Sequence, residues 1–192
     1  MLKFLKGKFA GKEQQCAKNP TIIALIGIAG SGKSSVAQAL SKHIHHAHAH
    51  AVVICADKIY AFNQESDVII VDSDLVDTKK RASLNKEAKK IGASIVFIYV
   101  SCDVGVMVGR IVDTIRRTNC TSDSEWKRKK MEAITKLQEM LHLLPKHYRL
   151  VSGHWEKKDP PCAVLANIDT TDSSSWEKEV EEVCREIKIN KM

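Results

Sequence analysis

Eight consecutive residues, Gly27-Ile28-Ala29-Gly30-Ser31-Gly32-Lys33-Ser34, have the types and spacing to hold a polyphosphate. They satisfy G-x-x-x-x-G-K-[ST] at every fixed position. Gly27, Gly30 and Gly32 let the backbone turn so that successive N–H groups point inward at an anion. A helix starting near Lys33 would add its positive end to the same point. Lys33 can bridge the β- and γ-phosphates, and the Ser34 hydroxyl suits Mg²⁺. Ala29, Ser31 and Ser35 complete the phosphate-binding set. The context is the one this pattern requires: a compact apolar strand at 21–26 precedes it and a helix follows. A nucleoside triphosphate, ATP or GTP, with Mg²⁺ is the expected ligand.

Carboxylates and arginines elsewhere could complete a phosphoryl transfer. Ligands of parallel sheets sit at the carboxyl ends of the strands. Asp57 follows the strand at 51–55, and Asp72 and Asp74 follow the strand at 67–71. Transfer to a hydroxyl needs one carboxylate near the acceptor and can use another to hold Mg²⁺. Asp57 suits the acceptor side, and Asp72 suits the metal together with Ser34. Asp74 fits either role, and it could equally join Asp77 in capping the helix that starts near Lys79. Arg110, Arg116 and Arg117 lie before a polar turn, in a segment of about 110–125 that could close as a lid. Arginine there would touch the triphosphate (Arg110) or the transferring group (Arg116, Arg117). An exposed basic helix end would look the same.

Those residues require an α/β scaffold. Apolar strand runs at 21–26, 51–55, 67–71, 94–100 and 163–168 alternate with helical spacing from 36, 79–91, 104–115, 124–144 and 176–187. Continuously apolar strands separated by helices indicate a mostly parallel five-stranded sheet covered on both faces, a three-layer sandwich. The long helix is expected to stop at Pro145, and residues 148–161 read as a loop. Gly92 is placed to end the helix before it. Residues 1–20 read as a basic tail and 21–192 as one domain.

Composition narrows the possibilities. The 192 residues are 44% hydrophobic and 28% charged, ordinary for a folded globule and against wholesale disorder. No apolar run approaches the roughly 20 residues of a membrane helix. Residues 1–18 lack the unbroken apolar core of a secretion signal. The six cysteines are scattered, with no Cys-x-x-Cys pair, and read as free thiols in a reducing compartment, cytoplasmic or nuclear. The histidine-rich run at 43–50 lacks the fixed spacing of a helical metal site and reads as a helix end and loop. The net charge is +7, and +6 of it lies between Arg110 and Lys158, where twelve basic residues face six acidic ones. Lys127-Arg128-Lys129-Lys130 beside Trp126, with Tyr148 and Trp155 nearby, suits RNA or DNA: cations for phosphates, rings for bases. A solvated helix face has the same composition.

The phosphate cradle alone does not select among GTPases, ATPase motors and small kinases. No Asn-Lys-x-Asp follows a late strand, as a GTPase would need, and the length suits a small phosphotransferase. With its residues placed, the chain resembles the small P-loop kinases. Within them it is most similar to the polynucleotide 5′-hydroxyl kinases, including the kinase domain of fungal-type tRNA ligases, with phosphoseryl-tRNA kinase in the same neighbourhood. The resemblance covers 21 to about 144. It rests on residues 27–34, on Ala56-Asp57, and on Val68-Ile69-Ile70-Val71-Asp72-Ser73-Asp74-Leu75 followed by Lys79-Lys80-Arg81. It implies that Asp57 is the general base toward the acceptor and that Arg110, Arg116 or Arg117 touches phosphates. It also implies an RNA 5′-hydroxyl as acceptor. Two features depart from the family: Asp74 stands where Asn is usual, and the connection after Asp57 is short, leaving an open or reduced acceptor pocket. A small-metabolite kinase and a non-catalytic NTP-binding module are the alternatives.

Overall fold

The apolar runs pair side by side because each is continuous enough to be covered on both faces. The structure, a computed structural model, describes residues 19–46, 49–55, 66–116, 122–172 and 175–187. In chain order it contains β1 (Thr21–Ile26), α1 (Lys33–His46), β2 (Ala51–Cys55), β3 (Val68–Asp72), α2 (Thr78–Lys90), β4 (Ser94–Ser101), α3 (Val104–Arg116), α4 (Asp123–His147), β5 (Tyr148–Val151), β6 (His154–Lys157), β7 (Ala166–Asp169) and α5 (Trp176–Glu186). Five strands form one sheet in the order β2-β3-β1-β4-β7, and every ladder in it is parallel. The expected α/β sandwich is present. Its last strand starts later than the apolar run suggests, at Ala166.

β1 is the centre of the sheet and shows how the layers form. Its side chains alternate: Ile23 and Leu25 pack with Val36, Leu40 and Ile44 of α1 and Val180 and Val183 of α5. Ile22, Ala24 and Ile26 pack on the other face with Leu84 and Ala88 of α2. Each fully buried Ile or Leu contributes roughly 1.5–3 kcal/mol. A third cluster joins Ile28, just past β1, to Met107 and Ile111 of α3 and to Ala133, Met140 and Leu144 of α4. The loop after β1 is therefore anchored to α3 and α4 as well as to the sheet.

Two sequence expectations need correction. Residues 148–161 are not a plain loop, because β5 and β6 form an antiparallel hairpin with Leu150 opposite Trp155. Its turn is Ser152-Gly153, both with positive φ (49° and 84°), the geometry that suits the twist of a two-residue hairpin. Nor does Pro145 stop α4, which runs on to His147. Proline so near the end forfeits little of the helical ladder. The hairpin completes that end: Lys158 N donates to His147 O at 2.8 Å, and Lys158 Nζ donates to Pro145 O at 2.6 Å.

Tyr148 ties the hairpin to the sheet. Its hydroxyl donates to Cys102 O at 2.7 Å and accepts from Cys102 N at 3.2 Å, both in the interior. Burial pushes this phenol up to about 12. Tyr148→Phe leaves both Cys102 groups without that partner and is expected to cost about 1–2 kcal/mol, measurable as a lower urea midpoint at unchanged slope.

Candidate active site

The loop between β1 and α1 folds as the sequence pattern requires. Gly30 and Gly32 hold φ of 82° and 88°, the left-handed region that side chains disfavour. Space forbids a side chain as well: a Cβ on Gly30 would meet Met107 O at 2.9 Å, and one on Gly32 would meet Thr170 Oγ1 at 2.8 Å. The loop is thus gripped by α3 on one side and by the segment after β7 on the other. α1 begins at Lys33, so its N-terminal amides face the loop.

A cavity of about 380 Å³ opens over this loop, lined by Ala29, Gly30, Gly32, Lys33, Ser34 and Ser35, by Asp72, by Arg110, Ile111 and Thr114 of α3, and by Lys136 of α4. Gly27 and Ser31 belong to the loop beneath. Ser31 is buried. Lys33 Nζ donates to Ile28 O at 2.9 Å. Burial lowers the Lys33 pKa, and the nearby carboxylates of Asp72 and Asp74 oppose that shift without cancelling it. Ser34 Oγ donates to Asp72 Oδ2 at 2.7 Å. The parallel register of β1 on β3, with Leu25 beside Asp72, creates this pairing by bringing both strands to end at the same level. A hydroxyl and a carboxylate oxygen in contact at the cavity floor are hard oxygen ligands that fit Mg²⁺. That ion keeps several waters and commonly takes only one or two protein carboxylates. No group of three His, Cys, Asp or Glu placed to hold a metal occurs among the described residues.

Arg110 lines the cavity, yet its guanidinium is spent on the protein. Nη1 donates to Thr170 Oγ1 at 2.9 Å, Gly30 O at 3.3 Å and Cys102 Sγ at 3.4 Å, and Nη2 donates to Thr170 O at 2.5 Å. Thr170 Oγ1 in turn donates to Ser31 O at 2.7 Å. Arg110 and Thr170 together clamp the phosphate loop to the ends of β4 and β7. Thr170 carried no sequence motif, and only the fold reveals it.

The remaining sequence candidates separate. Asp57 and residues 117–121, Arg117 among them, lie outside the described residues. Arg116 is the last residue of α3, and from Ser122, its N-cap, the expected polar turn is instead the start of α4. Asp77, not Asp74, caps α2 by accepting from Lys79 N at 2.7 Å. Asp74 instead accepts from Val76 N at 3.1 Å and faces His147 Nε2 at 3.5 Å, an electrostatic contact longer than a full hydrogen bond. His147 Nδ1 lies 3.1 Å from Tyr99 Oη, and the two rings stack. Burial pushes the Asp74 carboxyl up. The His147 imidazole, the Val76 amide and Lys33 outweigh it and hold the group below the usual carboxylate range.

The sign of the resulting pH dependence follows. A carboxyl whose folded pKa is depressed stabilises the fold above its unfolded value, and that stability is lost as pH falls through the folded value. The wild-type unfolding midpoint should therefore fall more steeply below about pH 4 than that of Asp74→Asn. At neutral pH the variant should be less stable by about 1–2 kcal/mol. Urea titrations of both proteins from pH 7 to pH 3 read this directly, and parallel curves would exclude Asp74 as the source.

The basic stretch of α4 is only partly available to a ligand. Lys129 pairs with Glu125 at 2.8 Å and Arg128 with Glu132 at 3.7 Å. Lys130 lies 4.9 Å over the Trp126 ring. Tyr148 is buried and cannot stack on a base, whereas Trp126 and Trp155 are exposed. Among the described residues no helix is long and apolar enough to cross a membrane.

No family model and no curated protein matches the chain. Solved structures do. APE1195 superposes with a TM-score of 0.57 at 14% identity, over 91% of this chain and 98% of that one. A candidate kinase from Chloroflexus aurantiacus superposes with a TM-score of 0.52 at 12% identity, over 88% and 97%. Kti12 from Chaetomium thermophilum, in complex with ADP-AlF3, superposes with a TM-score of 0.51 at 15% identity, over 86% and 96%. At such identities the likeness is one of fold: this chain shares the α/β fold of these structures and carries the phosphate-binding loop at residues 27–34.

Proposed function

We propose that this protein is an NTP-dependent kinase that transfers the γ-phosphate of ATP or GTP to a hydroxyl, with the 5′-hydroxyl end of RNA as its acceptor. The observation that carries the kinase reading is the convergence, in one cavity, of Lys33, the Ser34–Asp72 pair and the N-terminus of α1. The Kti12 structure with ADP-AlF3 is in keeping with it.

Phosphoryl transfer needs positioning and charge more than covalent help. The loop amides and the start of α1 hold the phosphates, and Lys33 exchanges its bond to Ile28 O for phosphate oxygens. Ser34 and Asp72 would hold Mg²⁺, which when bound neutralises charge on the phosphates. Arg110 acts through Thr170 and Gly30 by keeping the loop open and in place. Asp57 takes the proton of the acceptor hydroxyl, and Arg116 and Arg117 act from the lid.

The RNA acceptor is supported by the charge excess between Arg110 and Lys158 and by the exposed Trp126 among lysines. A reducing compartment, cytoplasm or nucleus, is proposed from the six scattered cysteines of the sequence. Incubation with γ-labelled ATP or GTP, Mg²⁺ and a 5′-hydroxyl oligoribonucleotide tests the reading. Label on the 5′-end is the expected result. Label on a nucleoside or sugar but not on the oligonucleotide would replace the acceptor, and NTP binding without transfer to either would overturn the kinase reading.

A further inference from the structure

We infer that Lys136, on the helix after the lid segment, is a γ-phosphate-binding residue of this site. The inference rests on the triphosphate reading above but not on the identity of the acceptor. Among the described residues three cations line the cavity: Lys33, Arg110 and Lys136. Lys33 belongs to the phosphate loop itself. Arg110 turns both terminal nitrogens to Thr170, Gly30 and Cys102. Lys136 donates to Glu132 at 2.9 Å, and its side chain is 45% exposed.

The packing of α4 explains how a residue so far along the chain reaches the phosphate loop. Ala133 and Met140 are buried in the cluster that contains Ile28, Met107 and Ile111. Lys136 lies three residues after Ala133 and four before Met140, so it shares their side of the helix. It stands at the margin of that face, where the packed seam opens into the cavity beside Ile111 and Thr114. A lysine in such a place can lay its stem along apolar surface while its ammonium reaches into water.

The bond to Glu132 suits a resting state. An exposed pair one helical turn apart is among the weakest ionic contacts. Arg128 also reaches Glu132, at 3.7 Å, so the carboxylate keeps a cationic neighbour when Lys136 turns away. A triphosphate entering the cavity presents more negative charge than Glu132. Lys136 then moves from one to the other, and its charge counts most where it accumulates in the transition state, on the equatorial oxygens of the transferring group.

The test compares wild type, Lys136→Gln and Glu132→Gln. Affinities for ADP and for a non-hydrolysable ATP analogue are measured by calorimetry with Mg²⁺, transfer by the labelling assay above, and stability by thermal unfolding. For Lys136→Gln the expected result is unchanged ADP affinity, analogue affinity weaker by about tenfold, and kcat lower by about 100-fold, with an unchanged unfolding midpoint. Glu132→Gln should bind the analogue at least as tightly as wild type. Equal losses for ADP and the analogue would overturn the assignment, as would analogue affinity unchanged by Lys136→Gln. The affinity ratio needs no acceptor, so a wild type that binds the analogue but transfers nothing overturns the kinase reading and leaves the Lys136 assignment to be decided by the ratio. A wild type that binds neither nucleotide overturns both.

Discussion

Lys33→Ala is expected to lower phosphoryl transfer by about 10²–10³-fold, the usual loss when one charge-stabilising donor leaves a transition state. It should also weaken binding of the Mg²⁺–nucleotide while leaving the fold intact. The physical basis is the position of the ammonium. It is held inside the glycine loop by Ile28 O, close to Asp72 and Asp74. Burial disfavours its charge, so the folded protein gains little from it until a phosphate arrives. Removing the side chain therefore takes away ligand binding without removing much packing, since Lys33 is the first residue of α1 and outside the apolar clusters. Lys33→Arg should not rescue it, because a planar fork cannot replace a point charge inside a tight loop. Calorimetry with Mg²⁺–ATP and the labelling assay, beside a thermal melt, check the claim. A variant that loses binding and folding together would show that Lys33 is structural.

Arg110→Ala is expected to have the second large effect, and on a different observable. It should destabilise the protein by about 2–4 kcal/mol, because four donor contacts vanish and the Thr170 and Gly30 carbonyls lose a charged partner. Nucleotide affinity should fall as a consequence of a loosened loop. Two further substitutions separate a clamp from a direct phosphate ligand. Thr170→Val removes the hydroxyl that links Arg110 to Ser31 O while leaving the guanidinium in place. A clamp predicts that Thr170→Val reproduces the loss of affinity in milder form. A direct ligand predicts that it does not. Arg110→Lys keeps a cation but cannot reach Gly30, Cys102 and Thr170 together, so a clamp predicts failure in both stability and binding. Urea midpoints and nucleotide affinities for the three variants suffice.

The difference between these two residues shows what was legible from the chain. Lys33 lies in eight contiguous residues whose backbone geometry, helix start and charge are all local. Arg110 was legible as a cation near the nucleotide, but not as a clamp, because its partners Gly30 and Thr170 are 80 and 60 residues away. Asp74 and Asp77 were indistinguishable as caps on spacing alone. Only the direction of the chain after β3 turns one to Lys79 N and the other to His147. The β5–β6 hairpin did carry a local sign, Ser152-Gly153. It was obscured by flanking residues that are mostly exposed and so lack the apolar alternation of a half-buried strand.

The sequence by itself determined the phosphate cradle, the alternation of strands and helices, and the carboxylate placed to meet Ser34. These rest on interactions within a turn or along one element, where residue type and spacing decide the energy. The tertiary structure decided which cations face the cavity and which are consumed holding it together. That depends on which face of α3 and α4 packs on Ile28 and on where β7 delivers Thr170. Those are the outcome of burying three apolar clusters at once, and no single segment contains the information.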